Sequence, residues 1–242
     1  LPDKRTHRGP HPEDADLFAP SAWPRLREAV ADFSWLLSRG YADKSALKLV
    51  GDRFALTERQ RMAVMRCAAS DFALARRQKH QVTSGELRGQ PLSLDGYNAL
   101  TTIEAALAGG VIIEGRDGCY RDLASMHGTF RKVSETVPAI TLLSELLAAL
   151  AVSRCVWYLD RPVSNSGRLK QMILELADER GGDWQVELAQ NPDAILSEAD
   201  DIVATADSVI LDRCDRWFNL AREAVTTSLP DTRVVDLSRP AR

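Results

Sequence analysis

Residues 92–98 read Leu92-Ser93-Leu94-Asp95-Gly96-Tyr97-Asn98: a short apolar run that ends in an acid and gives way to helix-forming residues over 99–108. This pattern predicts a buried strand that carries a carboxylate to its C-terminal end. Two later runs repeat it. Cys155-Val156-Trp157-Tyr158-Leu159 is followed by Asp160, and Ile202-Val203-Ala204-Thr205-Ala206 by Asp207. In an open α/β sheet, ligands bind in the crevice beyond the strand C-termini. Acids delivered there by separate strands would form a hard, oxygen-rich site suited to Mg2+ or Mn2+.

Outward from this segment, the chain alternates short strand and helix patterns. Strands are predicted at 92–94, 111–114, 155–159, 185–188, 202–205 and 233–236. Helices are predicted at 99–108, 136–150, 166–179, 193–200 and 215–225. That alternation predicts an α/β fold, a three-layer and mostly parallel sheet with right-handed crossovers. The α/β domain spans 92–242. Upstream, 81–91 is polar and carries Gly85, Gly89 and Pro91, which reads as a linker.

Residues 21–80 read as a small all-helical domain. Ser21 is a candidate cap for a helix through Leu37 that ends near Gly40, and a second short helix covers 44–50. Thr57 with Gln60 forms a capping box that opens a third helix, read as continuing through Phe72. Residues 1–20 read as an N-terminal arm, because Arg8-Gly9-Pro10-His11-Pro12 is rich in breakers. Arg59, Arg61 and Arg66 on the third helix are candidates for phosphate contact, although helices of this kind also serve in packing.

Composition narrows the class. Of 242 residues, 45% are hydrophobic and 27% charged, which is ordinary for a soluble globular protein. No apolar run reaches the roughly 18 residues a membrane span needs, and the N-terminal residues do not resemble a secretory signal. Cys67, Cys119, Cys155 and Cys214 are widely spaced, which predicts free thiols and a cytoplasmic setting. The net charge of -3 is unevenly spread. Residues 1–90 carry 16 Lys+Arg against 11 Asp+Glu, and residues 91–242 carry 15 against 23. A basic half beside an acidic half suits a polyanionic substrate held at a metal site.

Asp95, Asp160 and Asp207 are therefore the candidate catalytic residues, and the same three with Asp117 and Asp212 are the candidate metal ligands. Candidate substrate-binding residues are Asn98, the phosphate clamps Arg116 and Arg121, and Arg161, Ser164, Asn165 and Arg168 around the Asp160–Gly167 loop. Thr205 could support the site through its hydroxyl. Glu104 is a further candidate ligand, and His127 a candidate acid or base. Each has a plainer alternative: helix capping for Asp95, Asp207, Asn98, Ser164 and Asn165, and a salt-bridged turn for the 114–122 segment. The chain lacks GxxxxGK[ST], a GxGxxG after a strand, and GxSxG, which disfavours P-loop, dinucleotide and α/β-hydrolase chemistry.

Leu94-Asp95-Gly96-Tyr97-Asn98 resembles the opening strand of the PIN-like nucleases, particularly their NYN branch, and Thr205-Ala206-Asp207-Ser208-Val209-Ile210-Leu211 resembles a late strand end of that superfamily. The resemblance implies a PIN-like fold, divalent metal at Asp95 and Asp207 with Asp160 as a central acid, and hydrolysis of RNA phosphodiesters. The Arg161–Gly167 loop departs from that pattern. The whole chain also resembles a bacterial and archaeal family of unknown function, through Arg8–Asp14, Lys44–Arg53 and the Asp160–Gly167 loop.

Together these features read as a metal-dependent phosphodiester hydrolase, a ribonuclease with RNA as its partner, in a chain for which a homodimer is the default assembly. Two alternatives are a hydrolase of a small phosphorylated metabolite and a non-catalytic nucleic-acid- or protein-binding scaffold.

Overall fold

The computed structural model describes residues 8–124 and 129–239; His7 and His127 lie outside them. The helices are α1 (Asp14–Leu17), α2 (Trp23–Ser38), α3 (Asp43–Arg53), α4 (Glu58–Cys67) and α5 (Asp71–His80), then α6 (Gly96–Leu107), α7 (Thr136–Ala149), α8 (Ser166–Arg180), α9 (Pro192–Ser197), α10 (Ser208–Leu211) and α11 (Leu220–Ser228). The strands are β1 (Pro91–Asp95), β2 (Ile112–Glu114), β3 (Tyr120–Asp122), β4 (Arg154–Asp160), β5 (Trp184–Ala189), β6 (Ile202–Ala204), β7 (Trp217–Phe218) and β8 (Val234–Asp236).

Five strands form one sheet in the order β5-β4-β1-β6-β7, and every pairing is parallel. Counted along the chain within that sheet, the order is 3-2-1-4-5, the doubly wound arrangement. Alternate residues of each strand feed the two faces. Leu92, Leu94, Trp157, Leu159 and Ala204 pack with α6, α7, α8 and α11, whereas Val203 packs with α9 and α10 on the other face. The winding reverses between β1 and β6. That reversal opens a crevice beyond their C-terminal ends, where Asp95 and Asp207 stand.

The remaining strands do not extend this sheet. β3-β2-β8 form a separate three-stranded sheet, antiparallel between β2 and β3 and parallel between β2 and β8. The single three-layer sheet expected from the sequence is thus divided in two. The smaller sheet also joins the N-terminal helices: Val111, Ile113, Leu123, Val235 and Leu237 share one core with Phe33, Val50, Val64 and other residues of α2–α4. The helical region therefore closes no core by itself, and β2 and β8 bind it to the α/β part.

Two local expectations, the extents of the third helix and of the 215–225 helix, are corrected, and the arm and linker gain detail. The arm contains α1, with Phe18 fully buried and Arg59 paired to the buried Asp14. The third helix does not run through Phe72; it ends at Cys67, Ala68 is extended, and Ser70 caps a new helix through Ala73 N–H. Residues 215–225 do not form one helix, because Trp217 and Phe218 pair with β6 before α11 begins. The 81–91 segment, read as a linker, is anchored: Leu87 is buried, Val82 N–H donates to the Trp217 carbonyl, and Gly89 N–H to that of Ala151. All four cysteines are buried free thiols. Among the described residues, no helix is long and apolar enough to cross a membrane.

Gly96 permits the close approach of α6 to β4. A Cβ at this position would meet Leu159 Cδ2 at 2.6 Å and the Tyr158 carbonyl oxygen at 3.0 Å. Overpacking of this kind costs about 1–3 kcal/mol, so Gly96→Ala is expected to lower the urea midpoint accordingly. An unchanged midpoint would mean that α6 can step away from the sheet at no cost.

Candidate functional site

A cleft of about 750 Å3 lies between the C-terminal ends of β1 and β6 and a wall of α2, α4 and α5. Asp95, Asp193 and Asp207 line it. Asp95 occupies the position before α6, yet its side chain makes no cap hydrogen bond there. Its Oδ2 instead accepts from the Thr205 hydroxyl at 2.8 Å, and that hydroxyl accepts from Asp207 N–H at 2.9 Å. Asn98 Oδ1 accepts from Ala206 N–H at 3.0 Å. The two strand ends are thereby stitched together by side chains that the sequence singled out.

Asp207 has two roles open to it. One oxygen, Oδ1, takes Val209 N–H at 2.7 Å and Ile210 N–H at 3.4 Å, capping α10. No hydrogen bond from the described residues reaches the other. Asp193, in the first turn of α9, is the acid that sequence reading passed over.

The electrostatics set these acids apart. Burial, with the charges of Asp207 and Asp193 alongside, pushes the Asp95 carboxyl up to about 7, against the pull of the Thr205 hydroxyl. Asp193, at the rim, is raised by desolvation and by Asp207 and Asp160. Among the described residues, no arginine or lysine pairs with Asp95, Asp193 or Asp207. Their like charges face one another uncompensated.

Asp160 ends β4 and is half-buried, a change of environment that raises its carboxyl as well. It lies within electrostatic reach of Asp193 and Tyr97. It does not belong to the cleft wall that Asp95 and Asp207 share.

Other candidates are placed elsewhere. Asp117 is corrected from ligand to buried counter-ion: Arg121 takes both of its oxygens at 2.9 and 2.7 Å, and Arg77 donates at 2.6 Å. Burial pushes this carboxyl up, but Arg121 and then Arg77 hold it well below the usual carboxylate range. Arg121 also donates through Nε to the Ala206 carbonyl, which makes it a brace for the Asp207 loop rather than a free phosphate clamp. Arg77 Nε holds Asp212 at 2.7 Å, so Asp212 lines the cleft as part of an ion pair. Arg116 is committed to the Ala69 carbonyl and to Asp71.

The Ser164-Asn165 pair serves the chain itself. Asn165 has φ of +69°, precedes α8 and donates to the Phe130 carbonyl, while Ser164 bridges Thr129 through its backbone. Arg161 is exposed on the same loop, and Arg168 is exposed in the first turn of α8. Glu104 is fully buried against Arg8 and Thr136, away from the cleft.

A model described as "Domain of unknown function (DUF5616)" matches residues 84–223, which span β1 through the first turn of α11. The chain belongs to the DUF5616 family. A second model, "Protein of unknown function (DUF434)", matches residues 25–80, the region of α2–α5. An uncharacterized protein of the archaeon Methanocaldococcus jannaschii is 31% identical over 186 residues, covering 77% of this chain and 88% of the relative. No solved structure matches. The DUF5616 segment thus contains the strand ends and all three uncompensated acids, and the DUF434 segment supplies the opposite wall of the cleft.

Proposed function

We propose that this DUF5616 protein is a divalent-metal-dependent phosphodiester hydrolase acting on RNA. The carrying observation is the set of unpaired carboxylates, Asp95, Asp193 and Asp207, at the switch point of a doubly wound sheet. Unpaired acids in such a place are costly unless a cation joins them. The likeness of the Asp95 and Asp207 segments to PIN-like strand ends supports the same reading.

On this reading Mg2+ or Mn2+ would be held by two carboxylates rather than by a closed protein cage. Among the described residues, no group of three His, Cys, Asp or Glu side chains is gathered as a metal cage. Mg2+ seldom needs one, being held by one or two carboxylates with water and substrate phosphate completing the shell. Asp95 and Asp207 would hold the ion, with Asp193 adding charge at the rim. When bound, the ion would neutralise phosphate charge and lower the pKa of a water molecule.

The chain contributes a fixed frame. Thr205 fixes Asp95 Oδ2, Asn98 holds Ala206 N–H, and Arg121 holds the Ala206 carbonyl. The exposed Arg161 and Arg168 offer backbone contacts outside the cleft. Partners that orient a metal ligand are typically worth about 10–100-fold in metal affinity or activity. Thr205→Val is therefore expected to weaken Mn2+-dependent RNA cleavage by about that factor. Full activity in this variant would remove Thr205 from the frame.

A second reading draws on cleft size. About 750 Å3 is a volume typical of small-molecule sites, which suits a phosphorylated metabolite. Turnover of phosphate monoesters with single-stranded RNA left intact would favour it.

A further inference from the structure

Tyr41 lies in the turn after α2 and lines the cleft from the side of the helical segment. Its backbone is fixed. Gly40 has φ of +77°, Gly40 N–H donates to the Leu37 carbonyl at 3.0 Å, and Tyr41 N–H to that of Leu36 at 3.2 Å. This pair of bonds around a left-handed glycine closes α2 in a Schellman motif. The Tyr41 side chain is nevertheless 54% exposed. Among the described residues, no other ring and no guanidinium covers its face. Met65, on α4, is 47% exposed. Of the large apolar side chains exposed among the described residues, these are the two that line the cleft.

Charge narrows what can lie against them. Arg66, Arg77 and Arg121 line the cleft, and each already serves acceptors of the protein: Arg66 the carbonyls of Asp122 and Ala124, Arg77 Asp117 and Asp212, and Arg121 Asp117 and the Ala206 carbonyl. Asp43, two residues after Tyr41 and also exposed, adds negative charge at the Tyr41 end. A phosphate there would meet a carboxylate and no free cation, whereas a neutral flat ring covers apolar surface and keeps clear of the charge. The other end of the cleft, at Asp95 and Asp207, is where a metal-bound phosphate belongs.

We propose that Tyr41, flanked by Met65, is the platform on which a nucleobase of single-stranded RNA stacks while its phosphodiester lies at the acids. The inference rests on the reading of the cleft as a phosphodiester site and names how that site grips its substrate. Stacking on an aromatic face tolerates any base, because every base has a π-face. A tyrosine on a fixed backbone loses little freedom on binding, having only two side-chain torsions to settle. The helical segment thus contributes a ring rather than charge. Arg59 and Arg61, which its sequence offered for phosphate contact, are held by Asp14 and Asp52.

The test is a binding comparison on the full chain, with Ca2+ in place of Mn2+ so that cleavage does not intervene. A short fluorescein-labelled oligouridylate and an abasic ribose-phosphate chain of the same length are titrated against wild type, Tyr41→Ala and Tyr41→Phe. Wild type is expected to bind the uridylate about tenfold or more tightly than the abasic chain. Tyr41→Ala should lose most of that preference while its affinity for the abasic chain stays within about twofold of wild type. Tyr41→Phe, which keeps the ring, should retain the preference.

Equal affinity of wild type for the two chains would overturn the inference. So would a Tyr41→Ala variant that weakens both chains alike or neither, or a Tyr41→Phe variant that falls with it. Wild type that shows the Tyr41-dependent preference but never cleaves RNA with Mn2+ sinks the hydrolase reading alone. Wild type that cleaves RNA while Tyr41→Ala keeps the same kcat, KM and base preference sinks the platform alone. Wild type that binds neither chain sinks both.

Discussion

Asp95→Asn is expected to abolish Mn2+-dependent cleavage while leaving the metal-free protein folded and, above neutral pH, more stable than wild type. The activity loss should exceed the roughly 100-fold that removal of a supporting partner such as Thr205 can cost, because Asp95 would itself be a ligand. The stability effect has the opposite sign for an electrostatic reason. The Asp95 carboxyl is pushed up to about 7 in the fold by burial and by Asp207 and Asp193, against about 3.9 in an unfolded chain. A carboxyl raised in this way binds more protons folded than unfolded. Its stabilising contribution is complete below about pH 4 and is lost as pH rises through about 7.

Each pH unit in that window changes the contribution by up to about 1.4 kcal/mol. Asp193 and Asp160, both raised, act in the same direction. Urea titrations at a series of pH values, with EDTA present, should therefore show a steeper decline for wild type than for Asp95→Asn. Parallel declines would mean that the Asp95 charge is compensated in the free protein. That outcome would remove the main reason to place a cation beside it.

Asp117→Ala is expected to have the largest effect on stability. Its side chain is 1% exposed and neutralises Arg77 and Arg121, whose side chains are 3% and 7% exposed. Removing one partner of a buried ion pair leaves charge without compensation, at about 3–5 kcal/mol. For a chain of this size that corresponds to roughly 10 °C in melting temperature. The effect should reach the cleft as well, since Arg121 holds the Ala206 carbonyl and Arg77 holds Asp212. Arg77 lies on α5 and Arg121 on β3, so the same network ties the helical wall to the sheet. A loss below about 1 kcal/mol in urea unfolding would show that the two guanidinium groups find other partners.

The main sheet was legible in the sequence because its signals are local. Parallel strands covered on both faces are short apolar runs, and Leu92–Leu94, Cys155–Leu159 and Ile202–Ala204 are such runs; Thr57 and Gln60 announce the start of α4 as a capping box. Strands β3 and β7 escaped for the opposite reason. Tyr120-Arg121-Asp122 is as charged as a loop, and Trp217-Phe218 precedes residues whose spacing continues as a helix, so pairing across the sheet overrode local pattern.

At the site, acids that end strands could be read, but their neighbours could not. Asp193 follows Pro192 as an ordinary first-turn acid of α9, and only the sheet order brings it to Asp207. Asp117 and Arg121 have the letters of a phosphate-binding loop. They pair with each other, and the second cation on Asp117, Arg77, lies 40 residues away on a helix that the sequence did not separate from α4. That the buried Tyr97 hydroxyl finds no hydrogen-bond partner among the described residues leaves no mark in sequence, since it is a property of what surrounds the group.

The most direct test is cleavage of a single-stranded RNA by the full chain in millimolar Mn2+, run beside EDTA controls and the Asp95→Asn and Asp207→Asn variants. Cleavage that requires the metal and falls by about 100-fold or more in both variants is the expected result. RNA left intact by wild type under every metal condition, or cleavage that survives both substitutions, would contradict a hydrolytic site built on these carboxylates.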